Sequence, residues 1–178
     1  MVKAEPAGGA AVVLIGPPAA GKTRVGKRVA RRLGLDFIDT DRAIVAQHGP
    51  IADIFDHQGE AAFRDLEAEA VAEALGQHAV VALGGGAVMT PRVAVALDGY
   101  SVVLLTVSAE AAAQRLDPTT RPLVRDGIGA WVSLVDTRMP TYRALASVTW
   151  DTSTRPIDRI ADEVAEWVRQ RETERGAS

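Results

Sequence analysis

Cysteine is absent from this 178-residue chain, which removes disulfides, thiolate metal sites and cysteine nucleophiles together. That absence suits a reducing compartment. Basic excess is missing as well: 20 Lys and Arg stand against 23 Asp and Glu, a formal net charge of −3, and no segment gathers the cations into a tract. Nucleic acid is therefore not an expected partner. His48, His57 and His78 have no metal-ligand spacing and read as capping or surface groups. Residues 1–9 lack the apolar centre of a secretion signal, and no run approaches the roughly 18 apolar residues that span a bilayer. The expected protein is cytoplasmic, touches no membrane and is a monomer, since no exposed apolar stripe asks for a partner.

What is present begins with composition. At 47% apolar residues the chain can bury a core as one compact domain, with residues 1–9 and about 172–178 as expected flexible ends. No internal repeat or linker divides it.

The most informative stretch is Gly16-Pro17-Pro18-Ala19-Ala20-Gly21-Lys22-Thr23, a full match to GxxxxGK[ST]. Ala11–Ile15 before it reads as a buried parallel strand, and Arg24–Leu33 after it as a helix with Val25, Val29 and Leu33 on one face. In that setting a ring of backbone N–H groups wraps nucleotide phosphates, Lys22 adds a charge at the β/γ position, and the Thr23 hydroxyl can ligate Mg²⁺. Alanine at position 19 fits this loop if it holds a negative φ, and phosphate binding is expected to survive its presence.

Strand-like runs then alternate with helical stretches, the pattern of a three-layer α/β fold around a parallel sheet. Further strands are expected at Leu35–Ile38, His78–Leu83, Ser101–Val107 and Ser147–Trp150. Helices are expected at Asp41–His48, Ile51–His57, Glu60–Leu75, Pro91–Leu97, Ala109–Leu116, Gly129–Leu145 and Pro156–Arg171. Residues 117–128 break both periods with two prolines, a glycine and the pair Arg121 and Arg125. In a polyphosphate-binding chain that segment reads as a mobile lid.

A phosphoryl-transfer site needs a carboxylate near Mg²⁺ and a place for the acceptor. Asp39-Thr40-Asp41 leaves the second strand at the carboxyl edge of the sheet, where the loop opens. Asp39 is assigned to the water shell of Mg²⁺ and Asp41 to acceptor hydroxyls, with helix capping as the alternative use of Asp39 or Thr40. Gly84-Gly85-Gly86 follows the third strand at the same edge, where three glycines are best explained by close approach of backbone to a ligand. Arg64 and Glu67 share a helix face; alone they read as a solvated pair, as Arg143 alone reads as a surface cation. Trp131, Trp150 and Trp167 read as packing residues, and Trp131, just past the lid segment, as a convenient reporter of its closure.

Taken together these fragments resemble shikimate kinase. The loop, Asp39-Thr40-Asp41, Ile51-Ala52-Asp53-Ile54-Phe55, Phe63-Arg64, Gly84-Gly85-Gly86-Ala87-Val88, Arg121-Pro122-Leu123 and Arg138-Met139-Pro140-Thr141-Tyr142-Arg143 occur in that family's order over about residues 11–171. The resemblance implies a P-loop kinase fold with a five-stranded parallel sheet and a lid, and transfer of the ATP γ-phosphoryl group to the 3-hydroxyl of shikimate on the route to chorismate and the aromatic amino acids. It implies Lys22, Asp41 and Arg121 as catalytic residues, with Lys22 and Arg121 gripping the γ-phosphoryl group. It assigns the shikimate carboxylate to Arg64 and Arg143, the ring hydroxyls to Asp41, the ring's surroundings to Gly84, Gly85, Gly86, Phe55 and Phe63, and a supporting place to Glu67. Arg115 and Pro156 align with positions that sandwich the adenine. Kinases of similar fold acting on gluconate or a cyclitol, and a nucleotide-binding regulator without turnover, are the alternatives.

Overall fold

The computed structural model describes residues 8–116 and 127–176. Five parallel strands form one sheet: β1 Val12–Ile15, β2 Asp36–Asp39, β3 Ala79–Ala82, β4 Val102–Thr106 and β5 Val148–Asp151, in the spatial order β2-β3-β1-β4-β5. The apolar run of β1 has no alternation because the strand is central and buried on both faces. Val13 pairs with Val81 of β3 on one side and with Val102 of β4 on the other.

Among the described residues seven α-helices flank the sheet: α1 Lys22–Leu33, α2 Thr40–His48, α3 Ile51–Leu75, α4 Pro91–Ala96, α5 Ala109–Arg115, α6 Ile128–Leu145 and α7 Ile157–Gly176. Alternate residues of β1 point to opposite sides. Val12 and Leu14 join Val25 and Val29 of α1, Trp131 and Val135 of α6 and Ile160 and Val164 of α7. Val13 and Ile15 join Ala68, Val71 and Leu75 of α3 and Tyr142 of α6. Helices on two sides of one sheet give the expected three layers. A small third cluster of Ile44, Ile54 and Phe63 ties α2 to α3.

Element boundaries fall within a few residues of the sequence expectations. The expected break between Ile51–His57 and Glu60–Leu75 is present as a kink inside α3, where Gly59 leaves helical angles at φ 85°. The last helix does not stop at Arg171; it runs to Gly176, so residues 172–176, expected as a flexible end, are helical. Residues 117–126, including Arg121 and Arg125, lie outside the described residues. Ile128, expected as the last lid residue, opens α6.

In a sheet of this order, strand ends that flank the reversal of chain direction form a crevice at the carboxyl edge. β1 and β3 are neighbours, so the residues that follow each of them, the phosphate loop and the triple glycine, open side by side.

Candidate active site

Between β1 and α1 the loop turns on two glycines. Gly16 sits at φ 143°, and a side chain there would collide with the Leu105 carbonyl of β4. Gly21, at φ 84°, precedes α1 with no side-chain cap, and the first turn of that helix carries no acidic residue. The N–H groups at the start of α1 are thus left for an anion, which the helix dipole favours.

Ala19 is at φ 69°. The condition of a negative φ is not met: the loop places this alanine in the left-handed region, at a cost of about 1 kcal/mol. The loop's carbonyls point outward and meet donors. Lys22 Nζ donates to Gly16 O at 2.7 Å and Pro17 O at 3.0 Å. The Trp131 indole N–H donates to Pro18 O at 3.0 Å, Arg115 Nη1 to Ala19 O at 3.2 Å, and the Thr152 hydroxyl lies 3.0 Å from Ala20 O. Trp131 is therefore more than a packing residue, and Thr152, fully buried, is a loop contact that sequence reading missed.

Arg115 also donates to the Thr152 hydroxyl at 3.1 Å and, through Nη2, to Thr152 O at 2.6 Å. It fastens the loop to the turn after β5. Its neighbour across the cleft mouth is Ile157 rather than Pro156, since Ile157 lines the cleft with Ala19, Gly21 and Arg115, whereas Pro156 is exposed and receives the Ile160 N–H of α7 on its carbonyl. The cleft, about 280 Å³, is also lined by Lys22, Thr23, Asp39, Asp41 and Gly85.

On its floor the Thr23 hydroxyl donates to Asp39 Oδ2 at 2.7 Å. The other oxygen of Asp39 accepts the Arg42 N–H and caps α2, so capping and a place beside Thr23 coexist in one carboxylate. Thr40 does not cap. Its buried hydroxyl accepts the Gly84 N–H at 3.2 Å and lies 3.5 Å from Ala82 O, which ties the start of α2 to the end of β3.

The triple glycine is where separate parts of the site meet. A side chain at Gly84 would collide with the Asp41 carboxylate, one at Gly85 would come within 3.3 Å of Pro18 Cδ, and one at Gly86 would come within 2.8 Å of Arg64 Nη1. None of the three has positive φ. Their glycine character answers to space, not to backbone conformation, and what occupies the space is the protein's own Asp41, phosphate loop and Arg64.

Around Arg64 the side chains are held firmly. Glu67, 1% exposed, accepts from Arg64 Nη1 at 2.7 Å, and Glu60 accepts from Nη2 at 3.3 Å. The guanidinium lies 5.3 Å from the Phe63 ring centre, within cation–π range, and Phe55 packs on Phe63 with ring centres 4.8 Å apart. Burial pushes the Glu67 carboxyl above the usual carboxylate range, against the downward pull of Arg64 and, more weakly, Arg138, with Asp41 adding to the rise.

Arg138, not Arg143, faces this cluster. Trp131, Val135, Arg138 and Tyr142 are the buried residues of α6, spaced at four, three and four residues, so they form one stripe. Arg143 is five residues beyond Arg138, about 140° around the helix, and is exposed. The expectation that Arg143 pairs with Arg64 is corrected on that ground; a run with two arginines in a single motif offered both, and helix phase selects Arg138. Arg138 is 8% exposed and close enough to act on both Glu67 and Tyr142. Tyr142, fully buried, donates its hydroxyl to Gly85 O, and burial pushes its ionisation upward against Arg138's opposing pull. Arg138 and Tyr142 stood in the quoted motif, and the apolar spacing with Trp131 and Val135 was the signal that would have singled them out.

The arrangement sets an anion-binding loop against a pocket that offers two guanidinium groups, a carboxylate and aromatic walls, which is the chemistry for moving a phosphoryl group onto a hydroxylated acid. Comparison with known proteins agrees. A family model described as shikimate kinase matches residues 18–169. The chain is 45% identical over 157 residues to the shikimate kinase of Thermobifida fusca, covering 86% of this chain and 91% of that one. It is 42% identical over 164 residues to that of Saccharopolyspora erythraea, covering 88% and 92%. Among solved structures it is similar to shikimate kinase from Acinetobacter baumannii in complex with shikimate, with a TM-score of 0.85 at 30% identity over 93% of this chain and 95% of that one. With its phosphate loop, triple glycine, half-buried Arg64 and buried Arg138 at one sheet edge, this chain belongs to the shikimate kinase family.

Proposed function

We infer that this chain transfers the γ-phosphoryl group of ATP to the 3-hydroxyl of shikimate, releasing ADP and shikimate 3-phosphate. The observation that carries the reading is the triple glycine, against which the phosphate loop, Asp41 and Arg64 each pack. One short backbone segment thereby sets donor and acceptor sites against each other, and alignment is most of what phosphoryl transfer asks of a protein.

In this reading the N–H groups of Ala19 and of residues 21–23 receive the phosphates, and Lys22 turns from its loop carbonyls toward the β/γ oxygens. Arg121 grips the γ-phosphoryl group. Arg64 and Arg138 hold the shikimate carboxylate by charge-assisted hydrogen bonds, with Glu67 fixing Arg64. Phe55 and Phe63 wall the ring. Asp41 accepts a hydrogen bond from the attacking hydroxyl; as that oxygen bonds to phosphorus, the bond to the ADP oxygen breaks and the proton leaves toward Asp41 or solvent. Arg115 and Ile157 border the adenine side.

Thr23 and Asp39 suit Mg²⁺: their two hard oxygens lie 2.7 Å apart, and no group of three or more acidic or histidine side chains among the described residues forms a cage for a metal. A pair of oxygens beside a phosphate site would suit an ion that keeps several of its waters. When bound, Mg²⁺ supplies neutralising charge to the β and γ oxygens. No helix among the described residues is long and apolar enough to cross a membrane, and the acceptor is a small molecule.

An ADP-release assay with ATP and Mg²⁺ tests the reading. Turnover is expected with shikimate and not with gluconate, a cyclitol lacking the carboxylate, or no acceptor. Equal ADP release with all four overturns it.

A further inference from the structure

We propose that Trp131 is a positioning residue for the phosphate loop, holding it in the nucleotide-binding conformation through its indole N–H. The proposal rests on the reading that residues 16–23 bind nucleotide. Three observations combine. The Trp131 side chain is 2% exposed and its N–H donates to Pro18 O at 3.0 Å. Trp131 and Arg115 come from α6 and α5, the two helices on either side of residues 117–126, and they hold successive carbonyls, Pro18 and Ala19. Between those anchors and the Thr152 contact at Ala20 stands Ala19 in the left-handed region at φ 69°.

An alanine in that region is biased to leave it. If the Pro18–Ala19 peptide rotates, the Pro18 carbonyl turns inward and the Ala19 N–H is lost to the phosphate. Anchoring the flanking carbonyls from outside opposes that rotation. Thr152 cannot do this alone, since its hydroxyl also lies 3.0 Å from Thr106 O and has one proton to give. Arg115 divides its guanidinium among Ala19 O, the Thr152 hydroxyl and the Thr152 and Ser153 carbonyls. Trp131 is a donor only, buried, with Pro18 O as its partner, so it is the anchor that has no competing use.

The test replaces Trp131 by Phe and, to remove the N–H alone, by the isosteric non-natural residue 3-benzothienylalanine. ADP affinity is measured by calorimetric titration without acceptor, so that the outcome is independent of which alcohol is phosphorylated. Both variants are expected to bind ADP roughly five-fold more weakly, the scale of one lost neutral hydrogen bond, with KM for ATP raised alike, kcat within about two-fold and KM for shikimate unchanged. Ala19→Gly added to W131F should recover at least about two-fold of the lost affinity, because glycine takes φ 69° without bias. Unchanged ADP affinity in the benzothienyl variant overturns the proposal, and so does an equal rise in both KM values or a failure of Ala19→Gly to recover any affinity. If instead native protein binds no ADP, the nucleotide reading itself fails.

Discussion

The two halves of this site are built from different materials. The nucleotide half is one stretch of backbone, residues 16–23, whose carbonyls are taken by Lys22, Trp131, Arg115 and Thr152. The acceptor half is made of side chains drawn from α2, α3 and α6, and its backbone contribution, Gly84–Gly86, matters for the room it leaves. A contiguous motif tolerates surrounding variation because its chemistry is peptide chemistry. A distributed one depends on every contributing helix presenting the right face.

Lys22→Ala removes the one cationic side chain in the loop, and kcat should fall by about 10²–10³-fold, the scale of a lost charge-stabilising donor; a coupled ADP assay reads it. Arg138→Ala against Arg143→Ala sharpens the acceptor half. Loss of a charge-assisted pair is worth about 1.5–3 kcal/mol, so Arg138→Ala should raise KM for shikimate by about 10–100-fold while Arg143→Ala stays within about two-fold. The reverse ranking would return the carboxylate to the exposed arginine.

Gly84→Ala tests whether the glycines serve space. The added methyl must displace the Asp41 carboxylate, and kcat should drop by about ten-fold with KM for ATP little changed and an unaltered circular dichroism spectrum. A loss of fold instead would mean the glycine serves the backbone. Smallest is the effect of Glu67→Gln on pH dependence. Burial raises the Glu67 carboxyl above 4.5 in the folded protein, so the native state holds that proton more tightly than the unfolded chain. Its contribution to stability is therefore present in acid and fades as pH rises from about 4.5 through the raised value. Urea midpoints across that window should show a shallower decline with pH in the Gln variant, and an identical slope would assign the dependence to other groups.

Much of this molecule can be read without coordinates, and the reasons differ by region. The three central strands were visible because each is a short apolar run, and the order of strand, loop and helix around residues 12–33 follows from one motif. The interruption near Gly59 was visible because glycine interrupts a helical period. The φ of Ala19 was not, because it is set by outside anchors on neighbouring carbonyls. Trp131 looked like core because it is core; only its indole nitrogen, aimed at Pro18, adds the second use. Choosing between Arg138 and Arg143 needed the rotational phase of α6, which the apolar stripe from Trp131 to Tyr142 fixes and which a motif match alone does not.

That stripe has a mechanical consequence. Trp131 grips the donor loop at Pro18 and Tyr142 grips the acceptor glycine at Gly85, and ten residues of α6, Pro140 among them, lie between the two grips, a rise of about 16 Å from one to the other. The helix works as a gauge block: turning or sliding it would misplace both jaws at once, so the distance the phosphoryl group must cross is written into a single piece of secondary structure.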